Sequence, residues 1–437
     1  MARYQPSQKK RSTRRPAPAD EGPKTAGVFS RLVLDQLGQL EPREQLENGA
    51  SESPAGLVGE DLVHLDYADE IAIKDAAFAK FWRRARLPGV PRAIITSPRP
   101  RGYRTTSKRR VARVGDTAYL FLGDRKVRRD MPVFVESALE PAEHTQLYRF
   151  LQAKLSESPF RVVAEHLSWL VVRGSYRERA VIFNVDMLSG PLVRKLKTLG
   201  RELVAFDPPV VAAFVYVDES GSDYYLEARR PSRGTLDYKK LFGPESLRVA
   251  YDDLRLSFHP TSFCQVNESI VPRMLRIAAD MLDPRTDERL IDLYCGYGMF
   301  SHALAGRVGE VVGVDAARAS IDAAGHNARR LGYRAARFIE SRVNIGSIER
   351  LPDREGDELV VLDPPRNGTE RGVIAAVAAR RPRRVVHVFC SVDEIPNALR
   401  QWKVGGYIPV RVAPLDMFAG TPNLEVFVQL ELPASRR

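Results

Sequence analysis

From residue 255 onward the chain repeats one rhythm: a short Val/Ile/Leu-rich run, a tight polar or glycine-containing turn, then a helical segment. The runs are RLIDLYCGYG, EVVGVDAAR, AARFIES, ELVVLDPPRNG and RVVHVFC. Strands buried on both faces read as continuous apolar runs, and helices between them serve as crossovers, so the pattern predicts a mostly parallel α/β sheet, Rossmann-like, over residues 255–437. In such sheets ligands bind beyond the carboxyl ends of the strands. The turns are therefore where chemistry is to be sought.

Upstream the pattern is different. Residues 61–254 mix alternating strand candidates, DTAYLFLG and RAVIFNVDML, with helical stretches such as AEHTQLYRFLQAKLSE, and read as a mixed α+β central domain. Residues 1–60 combine Lys and Arg with Pro, Ser, Gly and Glu and read as a basic, largely disordered tail around one amphipathic helix candidate, GVFSRLVLDQLGQL.

A length of 437 residues with 44% hydrophobic content is enough for two or three domains. Lys and Arg outnumber Asp and Glu by 67 to 55, a net charge of +12 that favours a polyanionic partner such as RNA. Two segments concentrate this charge: Lys9, Lys10, Arg11, Arg14 and Arg15 near the start, and SPRPRGYRTTSKRRVARV, where Arg99, Arg101, Arg104, Lys108, Arg109, Arg110 and Arg113 surround Tyr103. Basic residues around an aromatic suit a surface that tracks a nucleic-acid backbone and stacks a base, with Tyr103 and Arg104 as candidate contacts; a charged hairpin face is the plainer alternative. The three cysteines, Cys264, Cys295 and Cys390, form no C-x-x-C pair, and no histidine pair has metal-ligand spacing. A disulfide framework and a metal site are not expected. The charged N-terminus has no apolar stretch behind it and no run approaches a membrane span, so the expectation is a soluble, cytoplasmic protein with no membrane association and no evident obligate protein partner.

Two of the turns carry ligand chemistry. In DLYCGYG, Asp292, Tyr294 and Gly296 follow a buried strand, the glycines permit close backbone approach, and Asp315 at the next strand end can bind a ribose hydroxyl pair. A dinucleotide site shares this layout. The full G-x-G-x-x-G is missing, however, and an acid leading the turn suits a cationic ligand, which favours S-adenosylmethionine. In LDPPRNG the prolines hold Asp363 rigidly at the sheet edge and Arg366 adds a fixed positive fork.

Together with SFCQVNESIV, VFCSVD and DMFAGTPNLEVFVQL, these two turns form five motifs in order that resemble the uracil-5 RNA methyltransferase family, over roughly residues 61–430. The resemblance implies a class I methyltransferase domain, S-adenosylmethionine as methyl donor and a uridine of tRNA or ribosomal RNA as target. It also implies that Cys390 is the nucleophile and Glu425 the base. It places Gln265, Asp315 and Asp363 at the cofactor pocket or its border with the base, and Phe263 and Arg366 on the substrate side. Two departures touch substrate positioning: Ser391 and Val392 follow the cysteine where the family has Asn/Asp-Pro, and Asn423 replaces a histidine. The cysteines that bind an iron-sulfur cluster in many relatives are absent, so no cluster is expected, and no N-terminal TRAM-type barrel is recognisable. Two other readings stay open. RNA cytosine-5 methylation uses the same thiol chemistry but commonly places a cysteine after the fourth-strand proline, where this chain has Arg366 after Pro365; an inactive RNA-binding relative is the other.

Overall fold

The computed structural model describes residues 27–40, 59–122, 136–218, 237–352 and 356–433. The basic cluster Lys9–Arg15 lies outside them. Two large sheets organise the rest. Strands β1 (Thr106–Val114), β2 (Thr117–Phe121), β3 (Leu167–Gly174), β4 (Arg179–Val185), β5 (Val210–Val217) and β6 (Asp237–Phe242) form a mostly antiparallel sheet in the order β2-β1-β3-β4-β5-β6. Helices Ala142–Ser156 and Gly190–Phe206 cover one face through Leu147, Leu151, Leu196 and Leu203. A hairpin of β7 (Leu247–Tyr251) and β8 (Leu254–Phe258) then leads into the second sheet.

That second sheet has the architecture the strand rhythm predicts. Strands β9 (Arg289–Leu293), β10 (Glu310–Asp315), β11 (Ala336–Glu340), β12 (Glu358–Leu362) and β13 (Arg384–Phe389) run parallel, and the hairpin of β14 (Ile408–Leu415) and β15 (Glu425–Glu431) closes one edge antiparallel. The order is β11-β10-β9-β12-β13-β15-β14. The chain moves outward from β9 on one side and resumes at β12 on the other, so the switch point lies between the ends of β9 and β12. Burial explains the apolar runs: every residue of β9 and β12 is buried.

The packing does not follow the expected boundaries. Phe29, Leu32 and Val33 of helix Val28–Leu40 and Ile73, Phe78, Phe81 and Trp82 of helix Tyr67–Arg84 share one core with Val312, Val360, Val385 and Val426 of the second sheet. Residues assigned by sequence to a tail and to a central domain thus cover one face of the C-terminal sheet. Their apolar stripes meet each other and that sheet face, which together bury them.

Candidate active site

Four strands deliver side chains to one sheet edge. Asp292 is the fourth residue of β9, Asp363 follows β12 directly, and Cys390 follows β13 directly. Because β15 runs antiparallel to β13, its first residue stands at the same edge; Phe389 pairs with Val426, and one step beyond that pair are Cys390 and Glu425. A parallel sheet with one reversed strand is what brings a thiol and a carboxylate 35 positions apart in sequence into register.

The loop after β9 is held in a demanding conformation. Tyr294 has φ 65° and Gly296 φ 55°. The Tyr294 and Cys295 amides both donate to the Val314 carbonyl at 2.9 and 3.1 Å, tying the loop to β10. A left-handed tyrosine is uncommon and needs such support. Asp315 accepts from Gly296 N at 3.0 Å and from Ala317 N at 2.8 Å. Asp292 Oδ2 accepts from the Ser301 amide and hydroxyl at 2.9 and 2.7 Å, while its Oδ1 is buried without a hydrogen-bond partner. On the other side of the switch point, Asp363 N donates to Leu293 O at 3.3 Å, and Gln265 Nε2 donates to Asp363 Oδ2 at 3.4 Å.

Burial dominates the electrostatics. It raises Asp292 to about 7 against the pull of its Ser301 bonds, and raises Asp363 to about 7 with help from the Asp292 charge. It lifts Glu425 well above the usual carboxylate range; Asp363 adds to the shift and Arg366 opposes it. The Cys390 thiol is pushed up to about 12 by burial and by the Glu425 and Asp363 carboxylates, again with Arg366 opposing. The Sγ lies 3.8 Å from the Pro364 carbonyl. Asp363 and Arg366 thus act in opposite directions on the protons of both Cys390 and Glu425.

Residues 228–432 match the family model described as tRNA (Uracil-5-)-methyltransferase. The match takes in just under half of the chain. Curated relatives match over stretches of similar extent. The 23S rRNA (uracil(1939)-C(5))-methyltransferase RlmD of Aeromonas hydrophila is 36% identical over 217 residues, 49% of this chain and 48% of that protein. Its counterpart in Cronobacter sakazakii is 32% identical over 249 residues, 56% and 55% of the two chains. The chain spans about half the length of the curated relatives it matches. Among solved structures, Pyrococcus abyssi tRNA (uracil-54, C5)-methyltransferase in complex with S-adenosyl-L-homocysteine superposes with a TM-score of 0.64 at 22% identity. That match covers 85% of this chain and 84% of the other and establishes a shared fold.

The sequence-derived candidates separate into two groups. Cys390, Glu425, Asp363 and Gln265 converge beside the loop after β9 with Asp292, Tyr294, Gly296 and Asp315. Arg366 is exposed, its guanidinium 5.6 Å from the centre of the Phe418 ring, and Phe263 is 55% exposed immediately before the Cys264–Gln265 pair. Tyr103 requires correction. Rather than stacking a base it is fully buried, its hydroxyl donating to Ala419 O at 3.0 Å. A tyrosine beside arginines looks the same in sequence whether its ring faces solvent or core. Much of the surrounding charge is also used internally. Arg109 is buried in a two-pronged pair with Glu140 at 2.7 and 2.6 Å, and Arg101 donates to Leu62 O at 3.0 Å; Lys108 and Arg110 are exposed. Arg104 is half-buried, its backbone bridged to Asn267. Cys264 and Cys295 are buried. Sequence reasoning missed Tyr67, Glu70 and Lys74, which bond to Asp416 and Gly420 of the loop leading to Glu425; the signal was a Glu70–Lys74 pair one turn apart on an otherwise apolar stripe of helix Tyr67–Arg84.

Proposed function

We propose that the protein methylates C5 of a uridine in RNA with S-adenosylmethionine as donor. The observation that carries this reading is the placement of Cys390 and Glu425 one step past the Phe389–Val426 pair, beside the cofactor-type loop of β9. The residues at the switch point fit a cationic donor: Asp292 presents a buried oxygen without a partner, Asp363 adds a second carboxylate, and Asp315 stands at the tip of β10 for a ribose. When bound, S-adenosylmethionine supplies an electrophilic methyl group.

C5 of uracil is a weak nucleophile and needs activation. The Cys390 sulfur forms a bond to C6, and the electrons of the C5–C6 double bond move toward C5 and the O4 carbonyl, leaving an enolate that can accept a methyl cation at C5. Glu425 then takes the C5 proton; the released pair rebuilds the double bond and expels the Cys390 thiolate. A carboxylate whose proton affinity is raised by burial is the stronger base for that step. Arg366 favours the anionic forms of both groups. Exposed Phe263, Lys108 and Arg110 are contacts for an RNA whose target base is unstacked.

The relatives named above as 23S rRNA methyltransferases make ribosomal RNA the first substrate to test, with tRNA as the second arm. Cys390→Ala should abolish methyl transfer. Glu425→Gln should still add to C6 and accept the methyl group but release product about 100-fold more slowly, accumulating a denaturation-resistant protein–RNA adduct. Mass spectrometry of the nucleosides identifies the product. Methylcytidine in place of methyluridine, or methyl transfer by Cys390→Ala, would overturn the proposal.

A further inference from the structure

A buried ionic cluster lies under the loop 416–424 that joins β14 to Glu425. Lys74 is fully buried, and its three ammonium protons have three acceptors: Glu70 Oε1 at 2.7 Å, Asp416 Oδ1 at 2.6 Å and the Phe418 carbonyl at 3.3 Å. Each partner extends the contact. Tyr67 OH donates to Asp416 Oδ2 at 2.9 Å, Glu70 Oε1 also accepts from Gly420 N at 2.6 Å, and Arg101 pairs with Glu70 Oε2 at 2.9 Å. The Tyr103 hydroxyl holds the Ala419 carbonyl, and Asn267 Nδ2 holds the Met417 carbonyl at 3.1 Å. Every residue from 416 to 420 is therefore fastened to the segment 67–103 or to Asn267. The fastened stretch lies directly between the two ends of the hairpin, since Leu415 precedes it and pairs with Glu425 across β14 and β15.

A buried ion cluster is a weak source of net stability, because apolar side chains of the same volume serve as well; an arrangement that separates its members, however, leaves a buried charge uncompensated. Here the arrangement specified is that of the loop carrying the base. Phe418, whose carbonyl Lys74 holds, also lies beneath the Arg366 guanidinium. One lysine thus reaches both Glu425 and the cation that favours its ionised form.

We propose that Lys74 is a positioning residue for Glu425, acting through Asp416 and the Phe418 carbonyl, so that the N-terminal helix Tyr67–Arg84 sets the geometry of C5 proton removal. The proposal rests on the uridine-methylating reading above. Its signature is a split between steps. Lys74→Met keeps the stem and removes the ammonium. With ribosomal RNA and S-adenosylmethionine, this variant should form the Cys390 adduct and transfer the first methyl group within about threefold of wild type, while steady-state turnover falls about 10- to 100-fold and methylated adduct accumulates. Tyr67→Phe, which removes one hydrogen bond to Asp416, should show the same split at smaller amplitude and stands in if Lys74→Met does not fold. A proportional loss of all steps that tracks the folded fraction, with no adduct accumulating in either variant, would overturn the positioning role. A wild-type protein that methylates neither RNA would overturn the underlying reading along with it, which separates the two failures.

Discussion

A cysteine nucleophile has to lose its proton, and the surroundings of Cys390 oppose that loss. Burial and two carboxylates hold its pKa near about 12, and Arg366 is the neighbour that pulls it down. Removing the guanidinium raises the thiol further, so the thiolate fraction at neutral pH falls. Arg366→Ala should therefore slow first-turnover adduct formation about tenfold, the equivalent of one pKa unit, and displace its pH profile toward higher pH. Unchanged adduct kinetics would remove Arg366 from the mechanism. Asp292 and Asp363, both raised to about 7, make a second residue-scale prediction. A proton competes with a cationic ligand for these carboxylates. S-adenosylmethionine affinity should accordingly rise between roughly pH 6 and 8, by up to about tenfold per pH unit for each carboxylate that must ionise, and level off above. Calorimetric titrations across that range measure it, and Asp292→Asn should flatten the dependence. The sign for folding is opposite. Acids whose folded pKa lies above the unfolded value contribute stability that is present at low pH and lost as the pH rises from 3.8 through about 7.

At the scale of elements, helix Val28–Leu40 has more to do than its place near the start of the chain implies. Phe29 packs edge-on against Phe78 and Phe81 with ring centres 6.1 Å away, and Leu32 and Val33 are as deeply buried. The amide of Phe29 donates to Asp393 Oδ1 at 3.0 Å, three residues beyond Cys390. The helix therefore completes a core and fastens the turn after Cys390. A chain beginning at residue 59 should be less stable than one beginning at residue 27 by roughly 2 kcal/mol for each of these three side chains, as an upper bound. Chemical denaturation of the two chains checks this; equal midpoints would show that the helix contributes nothing to the core. The loop after β9 gives the converse case. Its glycines and leading acid were legible in DLYCGYG because a turn with φ 55° at Gly296 and 85° at Gly298 leaves little choice of residue.

Over the whole molecule, legibility follows the range of the interaction. The α/β sheet could be read from residues 289–389 because buried parallel strands and crossover helices impose local periodicities. The positions of Asp292, Asp363 and Cys390 followed, since each sits at or directly after a strand end. Glu425 was singled out only through resemblance, as nothing local in NLEVFVQL separates a buried carboxylate from a surface one. The antiparallel register of β15 against β13 is what sets it beside Cys390. Tyr103 and Arg109 were misjudged for the same reason: composition records that charge is present, while burial and pairing depend on segments far away, Ala419 for one and Glu140 for the other. By itself the sequence determined the fold class, the glycine turn after β9 and the strand ends, which local periodicity and backbone sterics dictate. Only the tertiary structure decided that helices Val28–Leu40 and Tyr67–Arg84 complete the C-terminal core and that Lys74 holds the loop before Glu425, because a contact spanning 342 positions between Lys74 and Asp416 leaves no trace in the pattern around either residue.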